Sequence, residues 1–380
     1  MVTNKMNIEY DIVTPLLSWY DEHKRILPWR EDQNPYRVWV SEIMLQQTRV
    51  EAVKPYFDRF MKELPTVADL AKAEEDRLLK LWEGLGYYNR VRNMQKAAIV
   101  IMNEYEGRFP EEYDLLLQLP GIGSYTAGAV ASISFGKAVP AVDGNVLRIL
   151  SRLMLYDRDI LSQRAKTEAR DALLPLMPKD RSGDFNQALM ELGATVCVPN
   201  GAPHCEVCPW RDMCLAKQQE CWQDYPKKAG KKPRRLENRT VFIMGDSEKI
   251  LLHKRPDKGL LAGLYELPSV EGHISEKDLI EYVRALGFTP LRIEKLTEAK
   301  HIFSHIEWHM KGYRILTEPL EYEEYGKAQA TGDITQQDKS YVLVTKEETE
   351  ADYPIPSAFT AYTEYLDIHP GMGRKIRKNK

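Results

Sequence analysis

The hydrophobic pattern of this chain changes period near residue 222, and the change constrains the fold more than any single motif does. Upstream, "YDIVTPLLSWYDEH", "YRVWVSEIMLQQTRVEAVKPYFDRFMKEL" and "NRVRNMQKAAIVIMNEY" repeat apolar residues at spacings of three and four, the mark of amphipathic helices. Proline punctuates them in "LPTVADL" and "FPEEYDLLLQLPG". Downstream, "TVFIM", "KILLHKR", "RILTEPL" and "SYVLVTK" are short strand candidates, joined by one amphipathic helix, "SEKDLIEYVRAL". A chain of 380 residues also exceeds what one core organises. The pattern predicts a helical region over 1–222 and a separate α+β domain over 240–365. Between them, residues 223–239 hold seven Lys or Arg against two acids, with two Pro and one Gly, the composition of a solvated linker that also suits phosphate. Residues 366–380 end in "GMGRKIRKNK" and are predicted to be a basic disordered tail.

Composition narrows the class. With 43% hydrophobic and 29% charged residues, no apolar run long enough for a bilayer, and no apolar centre in "MVTNKMNIEYD", the chain is predicted to be cytoplasmic and without a membrane partner. A formal charge of -3 argues against binding nucleic acid through bulk charge, leaving that task to local basic patches.

All five cysteines lie between Cys197 and Cys221, whereas a disulfide framework would spread them along the chain. Cys197, Cys205, Cys208 and Cys214 are separated by seven, two and five residues, so four thiolates fall within one compact loop, 197–214. That set suits tetrahedral zinc or an iron-sulfur cluster, and spacing alone leaves both open. Cys221 falls outside the set as a spare thiol.

In "LPGIGSYTAG", Gly121 and Gly123 permit a tight turn with close backbone approach, and the helix that follows offers N–H groups at its start. In "VPAVDGNVLRILSR", Asp143 stands where an N-cap would, and capping by Asp143 and Asn145 is the plainest function for that pair. Glu42, within "VSEIMLQQTRV", reads most simply as a charge on a helix start, and Arg30 in "LPWRED" as a partner in a surface salt bridge. His305 and His309 stand four apart but lack a matched third ligand or an HExxH glutamate.

The order of Glu42 in "VSEIMLQQTRV", then "GLGYYNR", "LPGIGSYTAG", "VPAVDGNVLRILSR" and the cysteine set closely resembles the endonuclease III-like helix-hairpin-helix DNA glycosylases, and within them the adenine glycosylase (MutY) branch. The resemblance implies a mostly α fold: a helix-hairpin-helix glycosylase core, with the hairpin at about 115–135 and an iron-sulfur cluster loop, followed by an α+β Nudix-like domain. It implies a [4Fe-4S] cluster on Cys197, Cys205, Cys208 and Cys214, although the family pattern has one residue fewer between the first two cysteines. The extra residue falls in "VPNGAPH", where a loop absorbs an insertion. It implies a hairpin that binds DNA phosphates through the backbone at Gly121 and Gly123, with a monovalent cation. Bifunctional relatives carry a lysine where this chain has Tyr125, and a phenol cannot form a Schiff base.

The resemblance further implies hydrolytic removal of adenine paired with 8-oxoguanine or guanine, by a monomer acting on duplex DNA of the nucleoid. Glu42 would protonate the base and handle water, Asp143 would stabilise the oxocarbenium-like sugar, and Tyr125 and Asn145 would orient water and Asp143. Arg30 and Gln187 would line the pocket for the flipped adenine, and Gln47 and Tyr87 would enter the duplex beside the opposing base. Phe303, Ser304 and His305 would read 8-oxoguanine. "KGLLAGLYELPSVEG" resembles the start of a Nudix signature, but "SEKDLIEYVRALG" lacks the paired glutamates that hydrolysis of a diphosphate needs. The competing functions are a catalytically silent iron-sulfur DNA-binding module, opposed by Glu42 with Asp143, and a Nudix-like nucleotide hydrolase, opposed by the missing glutamates.

Overall fold

The structure, a computed structural model, describes residues 6, 8–230, 233–246, 248–318 and 340–368. Two compact units divide the chain: Met1–Ala73 with Arg92–Lys231, and Glu74–Val91 with Lys232–Lys380.

The first unit is helical. Its hairpin consists of a short helix, Tyr113–Leu116, the turn carrying Gly121 and Gly123, and a helix at Ser124–Phe135 that ends on the left-handed Gly136. Residues Thr126 to Ile133 of that helix are all buried, which its small side chains permit, because neighbouring segments approach to backbone contact. A Cβ on Gly128 would stand 2.4 Å from the carbonyl oxygen of Pro140, and one on Gly183 2.8 Å from Cα of Ile133. Asn186 fixes the same region: its amide donates to Ser132 Oγ at 2.8 Å and to the Val139 carbonyl at 2.9 Å, and its oxygen accepts from Ala141 N at 2.9 Å. The segment leading to Asp143 is thereby held against the hairpin helix. The helices Val13–His23, Gly144–Met154, Gln163–Leu173 and Ser182–Thr195 share one core that includes Leu16, Tyr20, Leu150, Ala169, Phe185 and Leu189.

The second unit is built on a mixed sheet of eight strands: β1 Arg235–Gly245, β2 Lys249–Lys254, β3 Tyr265–Glu266, β4 Ser269–Glu271, β5 Pro290–Lys295, β6 Ala299–Ile302, β7 Ile306–Thr317 and β8 Tyr341–Thr345. β1 and β7 run parallel at its centre from Arg235↔Ile306 to Gly245↔Leu316. Period-two alternation sends Val241 and Ile243 to one face with Trp308, Met310 and Phe359, and Phe242 and Met244 to the other with Leu279 and Val283 of the helix Glu276–Ala285. Gly312 lies on the first face, where a Cβ would stand 2.1 Å from the ring of Tyr362.

Two expected boundaries move. β1 starts at Arg235, inside the stretch expected to be linker, because its charged residues have partners on the sheet: Glu237 accepts from Trp308 Nε1 at 2.8 Å, and the Arg239 guanidinium lies 4.2 Å from the Trp308 ring centre. Residues 74–91, expected in the helical region, group with the sheet unit, where Asp76 pairs with Lys254 at 2.9 Å, Lys80 Nζ donates to the carbonyls of Thr349 and Tyr353, and Glu83 accepts from Ile355 N at 2.6 Å. Within the stretch expected as tail, Ile368 is buried and its N–H donates to the Thr363 carbonyl; residues 369–380 lie outside the described residues. Among the described residues no helix is long and apolar enough to cross a membrane.

Candidate active site

Glu42 lies in the helix Pro35–Leu45, which Asn34 caps through its side-chain oxygen with Pro35 in the first turn. It is 6% exposed rather than a solvated helix charge. Tyr125, in the first turn of the hairpin helix, donates its hydroxyl to Glu42 Oε2 and lies 3.5 Å from Met190 Sδ. Burial pushes the Glu42 pKa up to about 7, and the nearby charge of Asp143 pushes the same way, while the Tyr125 hydrogen bond and the charge of Arg30 oppose the rise. Burial also drives the Tyr125 phenol well above its ordinary range.

Asp143 is the N-cap of the helix Gly144–Met154. One oxygen accepts from Val146 N at 2.8 Å, the other from Asn145 Nδ2 at 2.7 Å. Burial raises its pKa, against the pull of those two donors. Capping and proximity to Glu42 coincide in this residue. Asn145 is itself anchored by Arg148, whose Nη2 donates to Asn145 Oδ1 at 2.9 Å and to the Gly193 carbonyl at 2.7 Å, and whose Nε donates to the Cys197 carbonyl at 2.9 Å.

The helix Ser182–Thr195 supplies a third wall. Gln187, Met190 and Glu191 recur at i, i+3 and i+4 and so share one face. Gln187 Oε1 accepts from Tyr20 at 3.2 Å. Arg30 is not the surface salt-bridge residue considered from sequence: its Nη2 pairs at 2.8 Å with Glu191, whose side chain is 0% exposed and also binds Arg25. Burial would raise the Glu191 pKa, but the hydrogen bond from Arg25 and the charge of Arg30 hold it below its ordinary value. Glu191 and Arg148 escaped the sequence reading. The spacing of Glu191 four residues after Gln187 was the available signal; Arg148 had none beyond its place in "DGNVLRI".

Around the hairpin, Gly121 adopts a φ of +75° and Gly123 caps the helix with no side chain of its own; both are exposed. Gln47, also exposed, adopts a φ of +59°, an uncommon conformation for a residue with a side chain. In the second unit, Tyr87 is 51% exposed with a φ of +50°. Its hydroxyl lies 3.0 Å from Ser304 Oγ, so Tyr87 and Ser304 belong to one constellation. Ser304 and His305 are exposed in the β6–β7 turn, closed by Phe303 N donating to the Ile306 carbonyl at 2.8 Å, while the Phe303 ring packs edge-on against Trp308. His309 pairs with Glu307, not with His305.

None of the five cysteines forms a disulfide. Burial raises the thiols of Cys205, Cys208 and Cys214, that of Cys208 to about 12; the charge of Cys197 raises each further. Arg152 Nη1 lies 3.2 Å from Cys197 Sγ. Among the described residues no three His, Cys, Asp or Glu side chains are drawn together around a single metal ion.

Residues 40–175 match the HhH-GPD superfamily base excision DNA repair protein family, and residues 240–365 match a NUDIX domain. Adenine DNA glycosylase of Mus musculus is 39% identical, across 79% of this chain and 69% of the mouse protein. Adenine DNA glycosylase of Buchnera aphidicola is 32% identical, across 78% of this chain and 83% of that protein. A solved structure of a thermostable thymine-DNA glycosylase is 29% identical, covering 55% of this chain and 95% of its own, with a TM-score of 0.50.

Proposed function

Because the chain belongs to the adenine DNA glycosylases of the HhH-GPD superfamily, enzymes of base excision repair that hydrolyse the N-glycosyl bond of adenine in DNA, we propose that Glu42 and Asp143 divide its chemistry as acid and anion. The observation that carries this division is the Glu42 carboxyl itself, buried and pushed up to about 7 beside a second carboxylate. Glu42 delivers its proton to N7 of the flipped adenine. The C1′–N9 bond breaks, and its electron pair leaves with the base. Asp143 supplies negative charge to the sugar cation, or bonds to it transiently; Asn145 holds the Asp143 oxygen that faces it. Glu42 then takes a proton from the attacking water, and Tyr125 fixes the carboxylate throughout. Tyr125 cannot replace a lysine as nucleophile, so the reaction stops at base removal.

The finer recognition follows from the same placement. Gln187, with its oxygen presented by Tyr20, and Arg30, held by Glu191, line the adenine pocket. Gly121 and Gly123 give the hairpin backbone to phosphate, with a monovalent cation at the turn. Gln47 and Tyr87 enter the duplex; both are exposed and held in an uncommon backbone conformation. Phe303, Ser304 and His305 read 8-oxoguanine opposite the adenine, as a monomer on nucleoid DNA. The helix Glu276–Ala285 carries Glu276, Asp278 and Glu281 but no adjacent glutamate pair, which favours recognition over diphosphate hydrolysis in the second unit.

Cys197, Cys205, Cys208 and Cys214 would hold a [4Fe-4S] cluster. The chemistry of the donor set supports the fit: four soft thiols on one loop, three kept protonated by burial until a metal displaces the proton. A cubane takes one thiolate per iron, so its donors stand apart instead of converging on one ion. The cluster when bound supplies a structural cross-link. Iron and sulfide analysis of anaerobically prepared protein should give roughly four of each per chain; stoichiometric zinc without iron would refute it.

Single-turnover release of free adenine tests the whole reading, using duplexes with adenine opposite 8-oxoguanine or guanine and a control with thymine opposite guanine. Release from the adenine duplexes alone is expected, and its near-complete loss in Asp143→Asn. Wild-type excision by Asp143→Asn would remove that carboxylate from the mechanism.

A further inference from the structure

The helix Gln163–Leu173 buries Ala165, Ala169 and Leu173 and turns a different stripe, Gln163, Lys166, Thr167 and Arg170, toward a cavity of about 50 Å³ whose far wall includes Ser124 and Val142. One water needs only about 10–15 Å³, so the cavity has room for a larger group. Its wall carries two cations and no carboxylate. Among the described residues the Lys166 ammonium has no ion pair or hydrogen bond, and the Arg170 guanidinium meets only the face of Tyr113, 5.9 Å from the ring centre. Of the two acids of this helix, Glu168 is engaged elsewhere, by Arg158 and Arg164, and Asp171 is exposed and is not part of the cavity wall. Opposite stands Ser124, the first residue of a twelve-residue helix with no side-chain cap. Its unsatisfied N–H groups add positive potential at that wall.

We infer that this cavity seats a DNA backbone phosphodiester, with Lys166 and Arg170 as its charged contacts. The ligand is an anion because every formal charge in the wall is positive. It belongs to DNA because the wall joins the first residue of the hairpin helix to Val142, the neighbour of Asp143, so that a phosphate seated here lies on the strand carrying the target nucleotide. A chain with a net charge of -3 needs such local seats, and this one lies outside the glycine turn. The inference rests on the glycosylase reading.

Binding of the full, cluster-loaded chain to duplex DNA, measured against salt, tests it. Lys166→Ala and Arg170→Ala should each flatten the log–log salt slope by about 0.9 and weaken binding to damaged and undamaged duplex alike. Lys166→Arg should keep the wild-type slope, as should Arg164→Ala, whose partner is Glu168. A second arm needs no folding control: the wild-type protein is offered duplexes in which one phosphate at a time is an uncharged methylphosphonate. One position near the target should weaken wild-type binding yet cost the double variant, Lys166→Ala with Arg170→Ala, nothing further. An unchanged slope in the double variant, or equal methylphosphonate penalties in both proteins at every position, would overturn the inference. So would thermal stabilisation by inorganic phosphate that only the wild type shows while the DNA slopes agree, the mark of a free-anion site. Failure of the wild type to bind duplex at all would sink the glycosylase reading instead.

Discussion

Replacing Glu42 by Gln should stabilise the free protein above neutrality while ending base release. The side chain is 6% exposed, and burial carries its pKa from 4.5 to about 7. A carboxyl whose folded pKa lies above its unfolded value binds its proton more tightly in the folded state. Its contribution to stability is therefore complete below about 4.5 and is lost as pH rises to about 7. At pH 8 the loss comes to about 3 kcal/mol, from roughly 1.4 kcal/mol for each pH unit between the two values. Gln keeps the shape, carries no charge, and still offers an oxygen to the Tyr125 hydroxyl. Urea denaturation followed by tryptophan fluorescence, at intervals from pH 4 to pH 8, should show wild type and Glu42→Gln together at pH 4. They should diverge through pH 5–7, the variant ending up to about 3 kcal/mol more stable. Single-turnover adenine release by the variant should be nearly abolished at every pH. A constant stability difference across the range, or a less stable variant at pH 8, would refute the claim that burial holds the Glu42 proton, and with it the acid's role.

Two further changes probe how the pair is set. Tyr125→Phe removes the donor that lowers the Glu42 pKa, so the alkaline limb of the single-turnover pH profile should move upward by about one pH unit; a limb that stays or moves down contradicts the assignment. Gly128→Ala forces a Cβ onto the Pro140 carbonyl, so the protein should lose about 1–3 kcal/mol in urea denaturation and release adenine more slowly, because the displaced segment leads to Asp143. Wild-type stability and rate together would show that the hairpin helix does not set the position of Asp143.

The sequence discloses elements better than it discloses which core they join. The hairpin, the strands "TVFIM" and "SYVLVTK" and the helix "SEKDLIEYVRAL" follow from local period and all appear. Residues 74–91 do not, because a 3.6-residue period announces a buried stripe without naming its partner; Asp76, Lys80 and Glu83 meet their partners across at least 178 positions of sequence. The early part of β1 was hidden by composition. Arg235, Glu237 and Arg239 resemble a solvated linker until Trp308 provides a ring for one and an N–H for another. In the site, spacing suggests the cap at Asp143 but gives no sign that Glu42 is buried, since a helical Glu is usually a surface charge. Arg30 and Glu191 are each ordinary in sequence, and only the fold pairs them, 161 positions apart.

The separation of roles proposed for the two carboxylates follows from where the backbone puts them. Burial raises both, so burial alone would not decide which keeps the proton. Asp143 sits at a helix start, where Val146 N and the Asn145 amide point at its two oxygens and the helix dipole favours an anion. Glu42 lies in the last turn of its helix, away from any helix start, with the Tyr125 hydroxyl as its named donor. The charge on Asp143 then raises Glu42 further, so ionising the capped residue helps to protonate the uncapped one. In the proposed division, acid and anion are thus set by one buried side chain near a helix end and one capped helix start. Removing the Asn145 amide would erode the difference from the Asp143 side, just as removing the Tyr125 hydroxyl would widen it from the side of Glu42.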